Sequence, residues 1–154
     1  MICYTRYRSP VGSLILISDG SALTGLTFQE PDPLWEAVEH LSIFDSARRW
    51  LDAYFAGTPG PVDFPLSPSG TEFQRRVWQI LLTIPYGETV TYGTIAKQLD
   101  TDMSAQAVGQ AVGKNPIAVI IPCHRVVGAG GKLTGYAWGI ERKQWLLGHE
   151  EETK

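Results

Sequence analysis

The stretch GTPGPVDFPLSPSG, residues 57–70, separates two parts of the chain that have different patterns. It holds four of the ten prolines and three glycines, which can continue neither a helix nor a central strand. We therefore expect an N-terminal domain over residues 1–62, a connector over residues 63–70 and a C-terminal domain over residues 71–154. A chain of 154 residues is long enough for two small domains of this size.

Before the connector, three short β-like runs are separated by turn signals. They cover Cys3–Arg8, Ser13–Ser18 and Leu23–Phe28, and they predict a small β-meander. Two helical segments are expected to follow it, over Pro33–Ile43 and Ser46–Ala56.

After the connector, the spacing of apolar residues becomes helical. The stretch TEFQRRVWQILLTIP opens with Thr71 and Gln74 at the spacing of a capping box. Two short helices are predicted next, the first capped by Thr91 and the second starting at Ser104. A tight turn around Asp100–Met103 is expected to join them.

The run PIAVII, residues 116–121, is apolar throughout and predicts a buried extended strand that ends at Pro122. A glycine-rich loop, GAGGKLTGYAWG, precedes a last amphipathic helix over residues 140–150. The elements therefore predict an α/β protein, in which a β-meander-plus-helix unit is joined to a mainly helical C-terminal domain.

Composition excludes several classes of protein. Hydrophobic residues make up 44% of the chain and include five tryptophans, which can supply a sizeable core. No run approaches 18 consecutive apolar residues, so no membrane helix is expected. The N-terminus MICYTRYRSPVGSLILI lacks the features of a signal peptide. We therefore expect a cytoplasmic protein without a membrane partner.

The two cysteines, Cys3 and Cys123, are expected to be thiols, because disulfides are rare in the cytosol. Metal-binding spacing is missing, since the sequence has no CxxC, no HExxH and only three histidines. We therefore predict no metal site.

The charge is unevenly divided along the chain. Residues 1–70 carry four Lys/Arg against eight Asp/Glu, whereas residues 71–149 carry eight Lys/Arg against five Asp/Glu. The overall charge of −3 argues against a protein coated in phosphate-binding residues, but it leaves room for a modest basic face on the second domain.

Cys123 lies between a proline and a histidine in the stretch IIPCHRVVG. A free thiol is only a few per cent ionised at neutral pH, so a nucleophilic cysteine needs an imidazole that a third group orients. Neighbours on a strand point to opposite faces, so pairing with His124 requires a bend at Pro122–His124 or a bridging water. Glu150 is the candidate that orients the imidazole, and Asn115 is suited to pinning a turn.

Structural alternatives remain open for each of these residues. A buried cysteine is most often an inert small hydrophobic residue. A histidine beside it can be a satisfied interior side chain, and Asn-Pro is a common turn signal. Spacing alone does not choose between a nucleophile and a structural thiol.

The segment NPIAVIIPCHRVV, together with GYAWG and RKQWLLGHE further on, closely resembles the O6-alkylguanine-DNA alkyltransferases, including the bacterial Ogt and Ada C-terminal type. The resemblance is dense from about Thr71 to Glu150, roughly half of the chain. The family fold implies a ribonuclease H-like N-terminal unit and a C-terminal domain that contains a helix-turn-helix. The implied activity is direct reversal of DNA damage.

The resemblance assigns a catalytic role to four residues. Cys123 corresponds to the alkyl acceptor, His124 to a base that reaches it through a water, Glu150 to the partner of that histidine, and Asn115 to a hinge between the helix pair and the active site. The alkyl group comes from O6 of guanine in DNA, with O4 of thymine as a second candidate position. The product is a thioether that nothing regenerates, so one chain is expected to repair one lesion.

The resemblance also implies residues that bind substrate and DNA. The substrate-binding set consists of Tyr92, Val126, Tyr136 and Ala137, with the carbonyls of Cys123 and Val126 reading the guanine edge and the backbone N–H of Ala137 bonding O6. The DNA-binding set consists of Tyr92, Gly93, Thr101, Gln106 and Ala129. The expected partner is double-stranded DNA, bound through its minor groove with the damaged nucleotide flipped out of the stack. The resemblance implies a monomer that uses no cofactor.

The second predicted helix, SAQAVGQAVGK, is rich in small side chains that let a helix approach a groove floor only about 6 Å wide. The same residues would also permit close helix packing within the domain. The helix departs from the family at Gln106, where an arginine is usual. Glutamine lacks the cation and the flat guanidinium that stacks in the gap left by the flipped base.

Alternative functions come from other classes. The first is a non-catalytic alkyltransferase-like protein that flags lesions, although such relatives replace the acceptor cysteine. The second is a DNA-binding regulator that uses the helix-turn-helix alone, which the low net charge disfavours. A cysteine hydrolase is the least supported, because nothing resembles a deacylation site.

Overall fold

The computed structural model describes residues 1–99 and 102–154, and this part of the chain divides into two compact units. The first unit comprises Met1–Ser69 and Pro116–Ile120, and the second comprises Gly70–Asn115 and Ile121–Lys154. The sequence did not indicate that residues 116–120 belong to the first unit. The domain boundaries expected at residues 62 and 71 stay a prediction.

The first unit is built on a β-sheet whose strands pair in the order β3-β2-β1-β4. The strands are β1 (Cys3–Ser9), β2 (Gly12–Ser18), β3 (Leu23–Thr27) and β4 (Glu36–Ala37). The pairs β1–β2 and β2–β3 are antiparallel, which confirms the predicted meander, whereas β4 runs parallel to β1.

The helix predicted over Pro33–Ile43 is wrong. In its place the backbone N–H of Glu36 donates to the carbonyl of Ile2 at 3.0 Å, and that of Val38 donates to Tyr4 at 2.9 Å. The edge of β1 offers partners for these backbone groups, and this pairing outweighs the local helical pattern. The second predicted helix is present as α1 (Ser42–Phe55), which packs on β1, β2 and β3.

The apolar face of α1 supplies much of the first unit's core. Its buried side chains recur at helical spacing, as the amphipathic pattern requires: Ile43, Phe44, Ala47, Leu51 and Tyr54. They share the core with fully buried strand residues such as Leu14, Leu16 and Leu23.

Residues 117–121 are buried as predicted, but the run from residue 116 to residue 121 does not form the expected strand. Leu26 of β3 donates to the Pro116 carbonyl at 2.9 Å and accepts from Ala118 at 3.0 Å, which makes one isolated bridge. The Ile120 N–H then donates to the Ala118 carbonyl at 2.7 Å, closing a three-residue turn around Val119. Val119 has a φ of 69°, a strained conformation for a β-branched residue, and it ends the extended run.

The second unit begins with α2 (Glu72–Leu81), and the predicted capping box is confirmed. The Thr71 hydroxyl accepts from the Gln74 N–H at 3.1 Å, and the Gln74 side chain accepts from the Thr71 N–H at 2.9 Å. Trp78 of this helix is buried, and its indole N–H donates to the carbonyl of Ala111 at 2.9 Å. This bond ties α2 to the fourth helix of the chain.

The helix pair predicted after α2 is present. The short strand β5 (Val90–Thr91) leads into α3 (Tyr92–Gln98), and α4 follows over Ala105–Gly113. Thr91 and Ser104 cap the two helices with their hydroxyls, as expected. Part of the predicted turn, Asp100 and Thr101, lies outside the described residues.

Beyond residue 120 the chain returns to the second unit. The strand β6 (Val126–Val127) pairs in parallel with β5, and the last helix, α5, spans Ile140–Thr153. Within the part of the chain that the structure describes, no helix has the length and apolar character needed to cross a membrane.

Candidate active site

The chain bends sharply at Pro122, whose φ of −82° and ψ of 64° are those of an inverse γ-turn. The Cys123 N–H closes this turn by donating to the Ile121 carbonyl at 2.8 Å. A single 3-10 turn over Cys123–Arg125 follows, and we call residues 121–126 the reactive corner. The bend that the sequence required between the cysteine and the histidine is therefore present.

Asn115 pins the reactive corner from the end of α4. Its side chain is buried, and the Nδ2 group donates to the carbonyl of Ile121 at 2.8 Å. Its backbone N–H donates to Val112 in the last turn of α4. One side chain thus connects the C-terminal end of α4 to the turn that carries Cys123.

A surface pocket reaches the Cys123 thiol. Five of the predicted site residues line this pocket: Tyr92, Asn115, Cys123, Tyr136 and Ala137. Glycines of α4 and of the loop before α5 complete much of the remaining wall. Small and aromatic residues thus surround the single thiol in the described pocket lining.

Burial raises the pKa of the Cys123 thiol, while hydrogen bonding from Asn115 and the charge of Lys143 act in the opposite direction. The thiol therefore needs a base to form thiolate near neutral pH. Burial also raises the pKa of Tyr136, whose hydroxyl faces the sulfur. Among the described residues, that hydroxyl has no hydrogen bond of regular geometry. Tyr136 is thus a neutral phenol beside the nucleophile.

His124 is paired with Glu150 inside the second unit. The distance between His124 Nε2 and Glu150 Oε2 is 2.5 Å, and the two side chains are 0% and 1% exposed. Burial lowers the pKa of His124 although Glu150 opposes this, so the imidazole is neutral. Its other nitrogen, Nδ1, is buried and has no partner in residues 1–99 or 102–154. A neutral ring that donates from Nε2 has a lone pair available at Nδ1.

Arg125 holds the other side of the Glu150 carboxylate. Its Nε donates to Oε1 at 2.7 Å and one terminal nitrogen donates to Oε2 at 3.2 Å. The second terminal nitrogen donates to the Ile84 carbonyl at 2.8 Å, and the guanidinium carbon lies 5.5 Å from the centre of the Tyr86 ring. The guanidinium is therefore fixed on three sides.

Glu150 consequently has more hydrogen-bond donors around it than one histidine provides. The backbone N–H of Gly87 also donates to Oε1, at 3.1 Å. Burial alone would raise the pKa of Glu150, but the bonds from His124 and Arg125 outweigh it and hold the pKa well below its usual value. The carboxylate is ionised throughout the physiological pH range.

Two family models match the chain. The DNA-binding domain of 6-O-methylguanine DNA methyltransferase matches residues 72–152, and the ribonuclease-like domain of the same family matches residues 2–68. The chain belongs to the 6-O-methylguanine DNA methyltransferase family. The predicted family resemblance and the predicted fold class are confirmed.

Similar proteins carry the corresponding names. A methylated-DNA–protein-cysteine methyltransferase from Methanosarcina acetivorans is 47% identical over 148 residues, which cover 94% of this chain and 95% of the relative. One from Haemophilus influenzae is 43% identical, over 94% of this chain and 83% of the relative. The crystal structure of Mycobacterium tuberculosis OGT in complex with DNA is 49% identical and has a TM-score of 0.89, covering 98% of this chain and 94% of that one.

Lys143 is a further residue of this methyltransferase-family site that the sequence analysis missed. It is 1% exposed, and its Nζ donates to the carbonyl of Val126 at 2.6 Å. Burial lowers the pKa of Lys143, and the Cys123 thiol partly offsets this. The sequence held a signal for it, because Lys143, Leu146 and Glu150 recur at helical spacing and share the buried face of α5.

Arg125 was also missed, although it stands within the quoted PCHR motif. A carboxylate that is buried beside one neutral histidine needs a further charged partner. Arg125 is the residue that follows that histidine, and its charge meets the requirement.

The remaining predicted residues divide by exposure. Val126 is buried and is absent from the pocket lining that the described residues form. Gln106 and Ala129 are exposed, and Gly93 is half-buried near the start of α3. Thr101 lies outside the described residues.

Across the described ranges of the chain, no cluster of three or more His, Cys, Asp or Glu side chains could hold a metal ion.

Proposed function

We infer that this chain is a direct-reversal DNA repair protein, which transfers an alkyl group from O6 of guanine in DNA to Cys123 in an irreversible single turnover. One observation carries the inference: a thiol opens into a surface pocket beside a buried His124–Glu150 pair. Relatives at 43–49% identity are named methylated-DNA–protein-cysteine methyltransferases. O4 of thymine is a second position at which the same chemistry is possible.

The reaction is a displacement at the alkyl carbon. The Cys123 sulfur forms a bond to that carbon while the bond between carbon and O6 breaks, and guanine leaves with the electron pair. The thiol loses one proton and the leaving guanine gains one, so the step balances without an oxidant, a metal or a cofactor. The thioether product is stable to water, which makes each chain a single-use reagent.

His124 supplies the base for this step. The lone pair of Nδ1 accepts the thiol proton through a bridging water, while Nε2 keeps its proton and donates to Glu150. The ionised Glu150 then stabilises the imidazolium that forms. Because burial raises the pKa of Cys123, the uncatalysed fraction of thiolate is small and the base is needed.

Tyr136 and Asn115 complete the catalytic pocket. The neutral Tyr136 phenol can donate a hydrogen bond to developing negative charge on the sulfur or on the leaving oxygen. Asn115 holds the turn at Ile121, so the sulfur is aimed from a fixed backbone. Asn115 also acts as the hinge between α4 and the reactive corner.

The guanine edge is read by backbone groups. The proposed acceptors are the carbonyls of Cys123 and Val126, and the proposed donor to O6 is the N–H of Ala137. Each carbonyl already accepts one hydrogen bond, from Val126 and from Lys143 respectively. A carbonyl oxygen has two lone pairs, so both can accept a second bond from the base.

The helix pair α3–α4 presents the DNA-binding surface. We propose that α4 lies in the minor groove and that the damaged nucleotide is flipped into the pocket, since O6 is hidden within the stacked duplex. Support comes from the exposed residues of α4, which are small or uncharged, such as Ala105, Gln106 and Gly113. Gly93, Thr101 and Ala129 are the proposed backbone contacts, and Tyr92 contacts the phosphate beside the flipped nucleotide.

The protein is proposed to act as a monomer in the cytoplasm. Both cysteines are free thiols in the structure, which fits a reducing compartment.

The test is incubation with a duplex containing O6-methylguanine, followed by intact-mass measurement. We expect one methyl group per chain, located on Cys123, with no further transfer when substrate is in excess. The Cys123→Ser variant should bind the same duplex and gain no mass. Binding without transfer by the unaltered chain would instead support the non-catalytic lesion-binding alternative, and repeated turnover would exclude the single-use mechanism.

A further inference from the structure

The glycine-rich loop between β6 and α5 begins with a turn that backbone hydrogen bonds close. The Gly128 N–H donates to the Lys132 carbonyl at 2.7 Å, and the Gly131 N–H donates to the Gly128 carbonyl at 3.0 Å. Positive φ angles at Gly130 and Gly131 allow the chain to reverse there. Residues 128–132 therefore form a compact turn on which the next residues of the loop are mounted.

Thr134 packs against this turn through its methyl group. A Cβ atom added at Gly128 would lie 2.9 Å from Thr134 Cγ2 and 3.3 Å from the Lys132 carbonyl oxygen. Only glycine leaves room for the methyl group there. A threonine side chain has few allowed χ1 angles, and contact with Gly128 favours the one in which the methyl group lies against the turn.

That hydroxyl meets the phenol of Tyr92. The distance between Thr134 Oγ1 and Tyr92 Oη is 2.8 Å, and the pair is partly buried. Tyr92 is the first residue of α3 and lines the Cys123 pocket. Its ring lies at ordinary contact distance, 3.6 Å, from the position a Cβ would take at Gly109 of α4. The ring and the hydroxyl of Tyr92 are thus held by different elements of the same unit.

We propose that Thr134 is a positioning residue for Tyr92. The Thr134 hydroxyl donates to the Tyr92 oxygen, so the phenol O–H remains available to donate outward to a phosphate oxygen of bound DNA. A phenol both donates and accepts, so it can hold both partners at once. This inference rests on the proposed function, in which Tyr92 contacts the phosphate beside the flipped nucleotide.

The reverse polarity has a different consequence. If Tyr92 donated to Thr134, the bond would compete with DNA for the same proton, and its loss would speed repair. The two arrangements therefore predict opposite signs for the same substitution.

The experiment measures single-turnover alkyl transfer from an O6-benzylguanine duplex and from free O6-benzylguanine, which has no phosphate. Thr134→Val keeps the shape and removes the hydroxyl. We expect it to slow transfer from duplex by about two- to tenfold, the range for one neutral hydrogen bond. The ratio of the duplex rate to the free-base rate should fall by a similar factor, and Thr134→Ser should restore most of it.

A double-mutant cycle tests whether Thr134 acts through Tyr92. In the Tyr92→Phe background, Thr134→Val should cause no further loss. Additive losses, an equal fall with both substrates, failure of Thr134→Ser to restore the ratio, or a rate equal to or above that of the unaltered chain would each overturn the proposal.

Thr83→Val is the matched control for removal of a threonine hydroxyl, because Thr83 is exposed and donates to the carbonyl of Ile80. Thermal unfolding of each variant separates loss of folding from loss of positioning, and Thr134→Ala replaces Thr134→Val if valine does not fit. The proposed function fails separately, because the unaltered chain would then transfer nothing from either substrate.

Discussion

The reactive corner and helix α4 are organised in opposite ways. The corner is buried and rich in charge, since His124 and Arg125 both bond Glu150 and each of these side chains is less than 10% exposed. Helix α4 carries no charged residue, and it buries apolar side chains on one face while Gln106 is exposed on its first turn. One region depends on buried side chains of opposite charge that are paired, and the other on an exposed face without charge.

The difference indicates how each region tolerates change. In the corner, removal of one partner leaves a buried charge without compensation, which costs about 3–5 kcal/mol. On the exposed face of α4, a substitution alters the surface offered to DNA and costs the fold little. Chemistry and recognition can therefore be changed separately, and the predictions below test that separation.

Glu150→Gln gives the largest expected effect. It removes the charge that stabilises the imidazolium and compensates Arg125, so transfer should slow by about 10²–10⁴-fold. Single-turnover rates with the methylated duplex measure this, and DNA affinity should change little. Glu151→Gln is the matched control, since Glu151 is the exposed neighbour of Glu150. An unchanged rate would show that Glu150 has only a structural role.

Arg125→Lys tests whether the geometry of the cation matters as well as its charge. Lysine cannot make two parallel bonds to Glu150 and also reach the Ile84 carbonyl. We expect the free energy of unfolding to fall by about 2–3 kcal/mol, within the range for buried charged hydrogen bonds. Denaturant unfolding measures it, with the exposed Arg49→Lys as control. If Arg125→Lys were as stable as Arg49→Lys, the positive charge at residue 125 alone would be enough to stabilise the corner.

The free energy of unfolding should fall on acidification because His124 and Glu150 are buried at the reactive corner. His124 and Glu150 both have lowered pKa values in the folded chain, from ordinary values of 6.5 and 4.5. Below about pH 6.5 the unfolded chain binds a proton at His124 more readily than the folded chain does, so stability that is present above about pH 7 is lost as the pH falls. The same holds for Glu150 only below about pH 4.5. Thermal unfolding between pH 8 and pH 5 should show a declining midpoint. His124→Gln should flatten the decline, whereas the exposed His40→Gln should leave it unchanged.

Gln106→Arg gives the smallest expected effect and tests the exposed, uncharged face of α4. An arginine stacking in the vacated gap is worth about 0.5–2 kcal/mol, and one added phosphate contact steepens the salt dependence of binding by about one unit. The repair rate on duplex should rise, while reaction with free O6-benzylguanine should not. Gln110→Arg on the same helix is the control for charge alone. If the two rates rise together, Gln106 does not act in flipping.

The sequence predicted the elements whose signals are local. The capping box of Thr71 and Gln74 and the caps Thr91 and Ser104 lie where expected, because such bonds involve residues three apart. The segments that failed depend on distant partners. Residues 36–38 pair with the edge of β1, and residues 116–118 bond Leu26 of β3, so neither segment is determined by a local pattern.

The site was predictable to the extent that it follows a motif. Cys123, His124, Asn115 and Glu150 were predicted as one constellation, and they do lie together. Their functional roles stay predictions. Arg125 was missed because its partners, Ile84 and Tyr86, lie about 40 residues away along the chain, where spacing carries no information.

The return of residues 116–120 to the first unit limits how the protein can be dissected. A cut after Ser69 would yield a C-terminal fragment that still carries five residues of the other unit's interior, including the fully buried Ile117, Ala118 and Val119. Exposed in isolation, that apolar segment would promote association between fragments. The two units are therefore interleaved in sequence, so exchanging the first unit between relatives requires residues 116–120 to be exchanged together with the N-terminal segment.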